Sequence, residues 1–397
     1  MNKLLLIMVS AILLGAPAFA GGHGKVKIGV LLGFTGPIES LTQDMGAGAE
    51  LAMKEVSATK SFLGGKEVEA IRADSTCIDS AAAVAAAERL ITSDKVAAIM
   101  GADCSGVTTS VLQNVAMPNG IVMISPSATS PAFTDMSDNG LFFRTAPSDA
   151  RQGVIVAEVL KERGFKSAAM TYTNNDYGKG LAESIKMNFE KVGGKVTINA
   201  AHEDGKGDYG AEVAALAQAG GDILIVAGYL DQGGKGIIQA SLDTGAFDMF
   251  YLPDGMIGDA LPPAIGPDLD GSIGDAPGTN SPGAATFVDM AKAAGFNGST
   301  PFAAESYDAA ALIMMAMEKA NSTDSQKFKS EIVDLANKPG TEIFPGELGK
   351  ALELIRNGVE IDYVGATAVE LVNSKESAGN YKIYEVKGQK NVVIEYK

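Results

Sequence analysis

Short apolar strand patterns alternate with amphipathic helix patterns along most of this chain, and no other feature constrains the fold as strongly. The first strand pattern, VKIGVLL at 26–32, is followed by a helical pattern, GAGAELAMKEV at 46–56. The same order repeats with VEAIRAD at 68–74 and the alanine-rich SAAAVAAAERLI at 80–91. Strands that alternate with helices pair in parallel, so the sequence predicts an α/β fold with helices on both faces of a parallel sheet.

The alternation breaks and then begins again, which predicts a second α/β unit. The break is LFFRTAPSDA at 141–150, and each unit has room for a sheet of five or six strands. A passage rich in glycine and proline follows at 262–282, and helical patterns then dominate. Three short strand patterns close the chain at 364–371, 381–386 and 391–396. Because they lie far in sequence from both sheets, we expect the chain to cross between the two units more than once.

The N-terminus has the pattern of a secretory signal peptide. Lys3 provides a positive charge, residues 4–14 are apolar, and AFA at 18–20 is a small-x-small cleavage site, so we predict cleavage after Ala20. The apolar run is too short to span a bilayer. The formal net charge of −16 argues against a nucleic-acid partner, since phosphate binding needs a basic face.

Cys77 and Cys104 are the 2 cysteines of the chain. In an oxidising compartment a pair of cysteines favours a disulfide, which would contribute about 3 kcal/mol by restricting the unfolded chain. The alternatives are two reduced cysteines or a metal pair. Two sulfur atoms without a nearby histidine make a poor zinc site, so we predict the disulfide and no metal.

Hydroxyl side chains are concentrated where two strands of the first unit end. Ser105 follows one apolar run, and Ser127, Ala128 and Thr129 lie in MISPSATSPAF at 123–133 after the next. Ligands of open α/β sheets bind beyond the carboxyl ends of strands, where hydroxyl and backbone N–H groups suit a carboxylate. The alternative for Ser105 is that it caps the following helix.

Aromatic and acidic side chains occupy the matching positions of the second unit. Tyr177, Tyr229 and Asp254 each follow a strand pattern. A carboxylate flanked by aromatic rings can hold an ammonium group by charge and by cation–π contact. The alternatives are half-buried packing for the tyrosines and a turn role for Asp254. Together with the hydroxyl loops, these positions predict a site for a small zwitterion.

Cofactor and catalytic motifs are weak by comparison. GKGDYG at 205–210 matches the glycine pattern of dinucleotide-binding loops, but Asp208 lies inside it and three polar residues lengthen the turn. We therefore predict a polar surface loop and no cofactor. Ser105 has no evident catalytic base, since His23 and His202 are the 2 histidines and neither forms a hydrolase motif. These observations favour a binding protein over an enzyme.

A possible calcium site also lacks the required pattern. Asp268, Asp270 and Asp275 lie close together, but the EF-hand spacing is absent. We predict a solvated loop there.

Several motifs, in order, give the chain a resemblance to the periplasmic Leu/Ile/Val-binding protein family, the type I solute receptors of ABC transporters. The resemblance runs from about residue 25 to the C-terminus. The motifs are KIGVLLGFTGP, the two cysteines, CSG, ISPSATSP, NNDYGKGLAESIK, GYLDQGG and LPDG.

The resemblance implies two Rossmann-like lobes joined by a three-stranded hinge that close over a ligand. Lobe one would hold residues 25–143 and about 280–362, and lobe two residues 144–279 and about 363–397. Ser105, Ser127 and Thr129 fall where the family binds an α-carboxylate. Tyr177 and Tyr229 fall where it lines the cleft from the second lobe, and Asp254 falls where it binds the α-ammonium.

The implied function is a monomeric periplasmic receptor that delivers an amino acid, branched-chain in type, to an inner-membrane permease. The chain differs from the family at two positions. The family usually has glutamate where this chain has Asp254, and an aromatic residue where it has Leu41. The alternative is a receptor or sensor for amides, urea or small aromatic acids on the same fold.

Overall fold

The first sheet is built from strands that follow one another along the N-terminal part of the chain. The computed structural model describes residues 24–397, so the predicted signal peptide lies outside the described residues. The first five strands are β1 (Lys25–Leu32), β2 (Glu67–Asp74), β3 (Ala98–Gly101), β4 (Met123–Ser125) and β5 (Phe142–Arg144). All pair in parallel in the order β5-β4-β3-β1-β2, because a helix returns the chain after most strands. The intervening helices are α1 (Glu39–Ala58), α2 (Ser80–Arg89), α3 (Ser105–Val111), α4 (Met117–Asn119) and α5 (Ala132–Asp135).

The second sheet repeats this arrangement. Its first strands are β6 (Ser167–Thr173), β7 (Lys195–His202), β8 (Ile223–Ala227), β9 (Phe250–Leu252) and β10 (Ile273–Pro277), in the order β10-β9-β8-β6-β7. Its helices are α6 (Asp149–Glu162), α7 (Asp176–Lys191), α8 (Gly210–Ala219), α9 (Gly233–Thr244) and α10 (Leu261–Ile265). In each sheet the strand order reverses next to the first strand, which opens a crevice at the carboxyl ends of the strands.

The chain then returns to the first lobe as a group of helices. These are α11 (Pro282–Ala294), α12 (Ala303–Lys319), α13 (Ser325–Phe328), α14 (Glu331–Ala336) and α15 (Leu348–Arg356), with a small parallel pair formed by β11 (Thr341–Ile343) and β12 (Ile361–Tyr363). The largely buried α12 packs against α1. Gly48 permits this close approach, since a Cβ there would lie 2.3 Å from the Ala303 carbonyl oxygen.

The C-terminal strands divide between the two sheets. The short β13 (Leu371–Val372) and β14 (Glu376–Ser377) extend the first sheet beyond β5, whereas β15 (Tyr381–Val386) and β16 (Asn391–Tyr396) extend the second beyond β10. Each sheet therefore has seven strands, and not the five or six predicted. The chain crosses between sheets after β5, after β10 and after β14, which agrees with the predicted hinge of three crossovers.

Two details differ from the prediction. Residues 371–377, which we expected in lobe two, pair with the first sheet, where Glu376 lies opposite Arg144. The glycine- and proline-rich passage contains a buried strand, β10, and its Asp275 is fully buried instead of lying on a solvated loop. Asp268 and Asp270 are exposed, as predicted.

Within residues 24–397, we find no helix with the length and apolar character needed to span a bilayer.

Candidate functional site

The candidate site is a small cavity between the two lobes, at the carboxyl ends of the strands. Its volume is about 20 Å³, room for about one water molecule, so the lobes lie close together here and must separate further to admit an amino acid. Both lobes contribute to its wall, with Ile38, Leu41, Asp103, Ser105, Ser127 and Phe302 from the first and Tyr177, Tyr229, Asp254 and Gly255 from the second. The predicted residues from both lobes therefore meet at one place, with Ala128 and Thr129 buried directly beside Ser127.

Hydroxyl groups join the two loops on the first-lobe side. The Ser105 Oγ accepts a hydrogen bond from the Ser130 N–H at 3.1 Å, and the Ser127 Oγ donates to the Asp103 carbonyl at 3.1 Å. Ser105 is the first residue of α3 and does not cap it, because Cys104 occupies the cap position without a side-chain bond. The Ser125 Oγ accepts from the Ala128 N–H at 2.9 Å. These bonds fix the shape of a loop rich in hydrogen-bonding groups.

Arg144 supports this loop from below. Its Nη1 donates to the Ala128 carbonyl at 3.0 Å and the Ser130 carbonyl at 2.8 Å. Its Nη2 contacts Glu376 at 2.5 Å, and the guanidinium is fully buried. The Thr129 hydroxyl is buried and lies beside Asp149, without a hydrogen-bond partner among residues 24–397.

The second-lobe wall centres on the buried carboxylate of Asp254. Its Oδ1 accepts hydrogen bonds from the Tyr177 hydroxyl at 2.8 Å and the Gln152 Nε2 at 3.0 Å. The rings of Tyr177 and Tyr229 stack with their centroids 5.3 Å apart. Burial raises the pKa of the Asp254 carboxyl, and the hydrogen bonds from Tyr177 and Gln152 oppose that rise. A cation placed here would meet one acidic group and an aromatic surface.

The remaining wall is apolar. Ile38, Leu41 and Phe302 line the cavity, and all three are buried. Leu41 therefore lies in the cleft, as expected for the position where the family usually has an aromatic residue. Such a wall accepts an aliphatic or aromatic group and offers it no polar partner.

The first lobe also places a carboxylate at the cavity. The Asp103 Oδ2 accepts from the Gly33 N–H at 2.6 Å, and its Oδ1 accepts from the Ser75 hydroxyl at 2.8 Å. Burial raises the pKa of this carboxyl, and the bonds from Gly33 and Ser75 counter it. The cavity is therefore lined by two acidic side chains, Asp103 and Asp254, and within the described residues its wall includes no basic side chain.

The predicted disulfide is confirmed and lies at the same edge of the first sheet. Cys77 and Cys104 are bonded, with their Cα atoms 5.1 Å apart. Cys104 lines the cavity, so the bond ties the loop after β2 to the loop that carries Ser105.

Direct contacts between the lobes hold the cavity closed. The Asp231 N–H donates to the Pro37 carbonyl at 3.0 Å, and the Asp231 carboxylate accepts from the Ser40 N–H, in the first turn of α1, at 2.9 Å. The Thr109 hydroxyl donates to Asp176 at 3.0 Å on the other side of the cleft. A negative group is stabilised at the N-terminus of a helix, so Asp231 favours the closed arrangement.

Sequence reasoning missed several polar residues around the site. Arg144, Asp149 and Gln152 lie in or beside the first crossover, which we had interpreted as a break between units. Asp275 lies on the missed strand β10. A charged or amide residue at the start of a helix is usually a capping residue or lies on the surface. The sequence pattern therefore did not indicate that these side chains are buried.

The rejected motifs lie away from the cavity or lack the needed partners. The 205–210 loop is mostly exposed and precedes α8, as predicted. His202 is buried in β7, where its Nδ1 lies 2.8 Å from the Thr171 hydroxyl. Among residues 24–397 no group of three histidine, cysteine or acidic side chains is arranged to hold a metal ion.

Comparison with known proteins identifies relatives along nearly the whole chain. The family model described as periplasmic binding protein matches residues 25–347. Leu/Ile/Val-binding protein homolog 1 of Brucella melitensis biotype 1 is 30% identical over 359 residues, which cover 85% of this chain and 94% of that protein.

Two solved structures show the same two-lobed fold. The leucine-binding protein LivK of Thermotoga maritima superposes with a TM-score of 0.79 at 23% identity, covering 94% of this chain and 98% of that one. A solute-binding protein of an ABC transporter from R. palustris, in complex with 4-hydroxybenzoate, has a TM-score of 0.76 at 20% identity. That superposition covers 94% of this chain and 97% of the R. palustris chain. From the family match and the Brucella relative, the chain belongs to the periplasmic binding protein family, in the group that contains the Leu/Ile/Val-binding proteins.

Proposed function

We propose that this protein is the substrate-binding component of an ABC transporter and that it binds a branched-chain amino acid between its lobes. The observation that carries the proposal is the polarity of the cavity. Ser105 and Ser127 form one wall, together with Asp103, whose carboxylate is already hydrogen-bonded to Gly33 and Ser75. The buried carboxylate of Asp254 and two stacked tyrosines form the opposite wall. An α-amino acid carries the matching pair of charges, and the apolar residues suit an aliphatic side chain.

The residues divide into two roles in this proposal. Ser105, Ser127, Ala128 and Thr129 receive the α-carboxylate; Ser105 and Ser127 line the cavity, and Ala128 and Thr129 follow Ser127 in the same loop. Asp254 receives the α-ammonium against the faces of the two tyrosines. No bond is made or broken, and no cofactor takes part. Ligand binding favours the closed state because only that state brings both walls into contact with it.

The family match supports a role in transport. In this proposal the protein is exported through a signal peptide cleaved after Ala20, acts as a monomer in the periplasm, and presents the closed form to an inner-membrane permease. The strands that pair in each sheet support lobe boundaries close to those predicted, except that residues 371–377 are assigned to lobe one.

The second candidate is a receptor for small aromatic acids, since the R. palustris relative of the same fold was solved with 4-hydroxybenzoate. The two carboxylates that line the cavity disfavour an anion without an amine. A thermal-unfolding panel separates the candidates, using L-leucine, L-isoleucine, L-valine, 4-hydroxybenzoate and urea. Leucine at one hundred times its Kd should add about 2.7 kcal/mol of stability. A shift with 4-hydroxybenzoate or urea and none with the amino acids would contradict the proposal.

We expect Asp231→Ala to weaken L-leucine binding several-fold. The carboxylate of Asp231 bonds to Ser40 across the cleft, so its loss removes about 1 kcal/mol from the closed state. Calorimetric titration measures the change, with Asp243→Ala as a control, because Asp243 is exposed on α9 and bonds to Gln239 of its own helix. Equal affinity in Asp231→Ala and the parent protein would show that this contact does not contribute to closure.

A further inference from the structure

A second set of buried polar groups lies behind Asp254, outside the cavity wall. Asp149, the first residue of α6, and Asp275 of β10 are both fully buried. Neither carboxylate has a hydrogen-bond partner for either side-chain oxygen within residues 24–397. Buried carboxylates are ordinarily paired or hydrogen-bonded, so two in this condition require an explanation.

Neutral groups around these carboxylates are also unpartnered. The Gln152 Oε1 and the hydroxyls of Tyr251 and Tyr381 are buried without a hydrogen-bond partner in the described chain. Gln152 and Tyr251 lie beside Asp275, and the Thr129 hydroxyl lies beside Asp149, although none reaches hydrogen-bonding geometry. The unsatisfied atoms therefore belong to one cluster, which extends from the hydroxyl loop to β10.

Asp254 connects this cluster to the cavity. Its carboxylate lines the cavity and accepts a bond from Gln152 Nε2. Its negative charge is the second-largest cause, after burial, of the raised pKa of both Asp149 and Asp275. Asp149 lies three residues before Gln152 on the same face of α6, and Gln152 bonds to Asp254. Asp275 follows Gly274, which pairs with Leu252 two residues before Asp254. The three carboxyl groups therefore lie close enough to affect one another's ionisation.

The surrounding elements provide little positive charge. Arg144 of β5 is the cation whose charge lowers the pKa of Asp149, and it is already paired with Glu376. Glu305 of α12, whose pKa burial raises to about 7, lies near Tyr384. Within the described residues, the other titratable groups that face the cluster are tyrosines whose pKa burial raises, so they remain neutral. They are Tyr177 of α7, Tyr229 after β8, Tyr251 of β9, and Tyr381 and Tyr384 of β15. Three ionised carboxylates in such a place would repel each other strongly.

We propose that Asp149, Asp254 and Asp275 form one cation-binding subsite that holds a proton in the absence of ligand and releases it when an ammonium group binds at Asp254. The O–H bond of one carboxyl group breaks, the proton goes to solvent, and the ligand's ammonium group keeps all its protons. The positive charge in the cluster is thereby conserved on binding. This inference rests on the proposed function, since it assumes that the ligand carries an amine.

The exchange gives two measurable consequences. Because the proton competes with the ammonium group, affinity for an amine ligand falls as the pH is lowered through the range in which the cluster takes up its proton. A ligand of the same shape without the amine has no positive charge to replace the proton, so its binding releases no proton from the cluster.

Calorimetry in two buffers of different ionisation enthalpy, such as phosphate and Tris at one pH, tests the exchange. We expect L-leucine to release a fraction of one proton, whereas 4-methylpentanoate, which lacks the amine, should bind much more weakly and release none. Asp149→Asn and Asp275→Asn should each reduce the release by more than half. Asp308→Asn should leave it unchanged, because Asp308 is a buried aspartate of α12 whose oxygens are bonded to Tyr363, Ala366 and Thr367. Leucine heats that are identical in both buffers would overturn the inference.

An infrared measurement on the ligand-free protein keeps this test separate from the proposed function. We expect the C=O stretch of protonated carboxyl groups at neutral pH, to which Glu305 contributes because burial raises its pKa to about 7. Part of this band should be lost in Asp149→Asn or Asp275→Asn, and that part should persist in Asp308→Asn. If the part of the band that depends on Asp149 and Asp275 is present and leucine gives no heat, the proton site is supported and the proposed ligand is wrong. If the band is absent from the ligand-free protein, or unchanged in both cluster variants, the inference is wrong whatever the protein binds.

Discussion

We expect Asp254→Ala to lower the affinity for L-leucine by about two to three orders of magnitude. The substitution leaves the ligand's ammonium group desolvated without its charge partner, and the loss of one partner of a buried charge pair costs about 2–5 kcal/mol. The remaining tyrosines would supply only a weaker cation–π contact. Calorimetric titration of the parent and the variant measures the difference.

Two further variants make this result specific. Asp268→Ala removes an exposed aspartate of the same lobe and should bind leucine normally. Asp254→Glu restores the acid that the family usually has at this position and should keep most of the affinity. If Asp254→Ala binds leucine within a few-fold of the parent protein, Asp254 does not hold the ammonium group.

The second large effect concerns stability. We expect Arg144→Met to lower the free energy of unfolding by about 3–5 kcal/mol, because it leaves Glu376 without its cation in a buried position. It also removes the two bonds to the Ala128 and Ser130 carbonyls, so the loop of the proposed carboxylate site loses its support. Urea unfolding of the ligand-free protein measures the change.

The double variant Arg144→Met with Glu376→Gln provides the matched control. Neutralising Glu376 removes the unpaired charge, so the double variant should recover more than half of the stability that the single variant loses. A single variant within about 0.5 kcal/mol of the parent, the range of an ordinary surface substitution, would show that the ion pair does not anchor β14 to β5.

The fold was predictable wherever local pattern and topology agree. Continuous apolar runs such as VKIGVLL become buried parallel strands, and the residues that follow them meet at one edge because parallel strands end on the same side. That rule alone brought Ser105, Ser127, Tyr229 and Asp254 into one prediction, and in the structure all four line one cavity.

The prediction failed where distant residues decide the outcome. β10 contains Asp275 and Pro277, both poor strand residues, and it is a strand because β9 and β15 pair with it on either side. β14 joins the first sheet beside Arg144, which lies 232 residues earlier in the chain. No local pattern in a single sequence encodes such a pairing, so the polar groups behind Asp254 could be found only from the structure.

A crystal structure of the protein with L-leucine tests the central claim most directly. The account predicts one leucine between the lobes, with its ammonium group within hydrogen-bonding distance of Asp254 and its carboxylate bound by Ser105 and Thr129. Leucine bound with the opposite orientation, or at a site formed by one lobe alone, would contradict it.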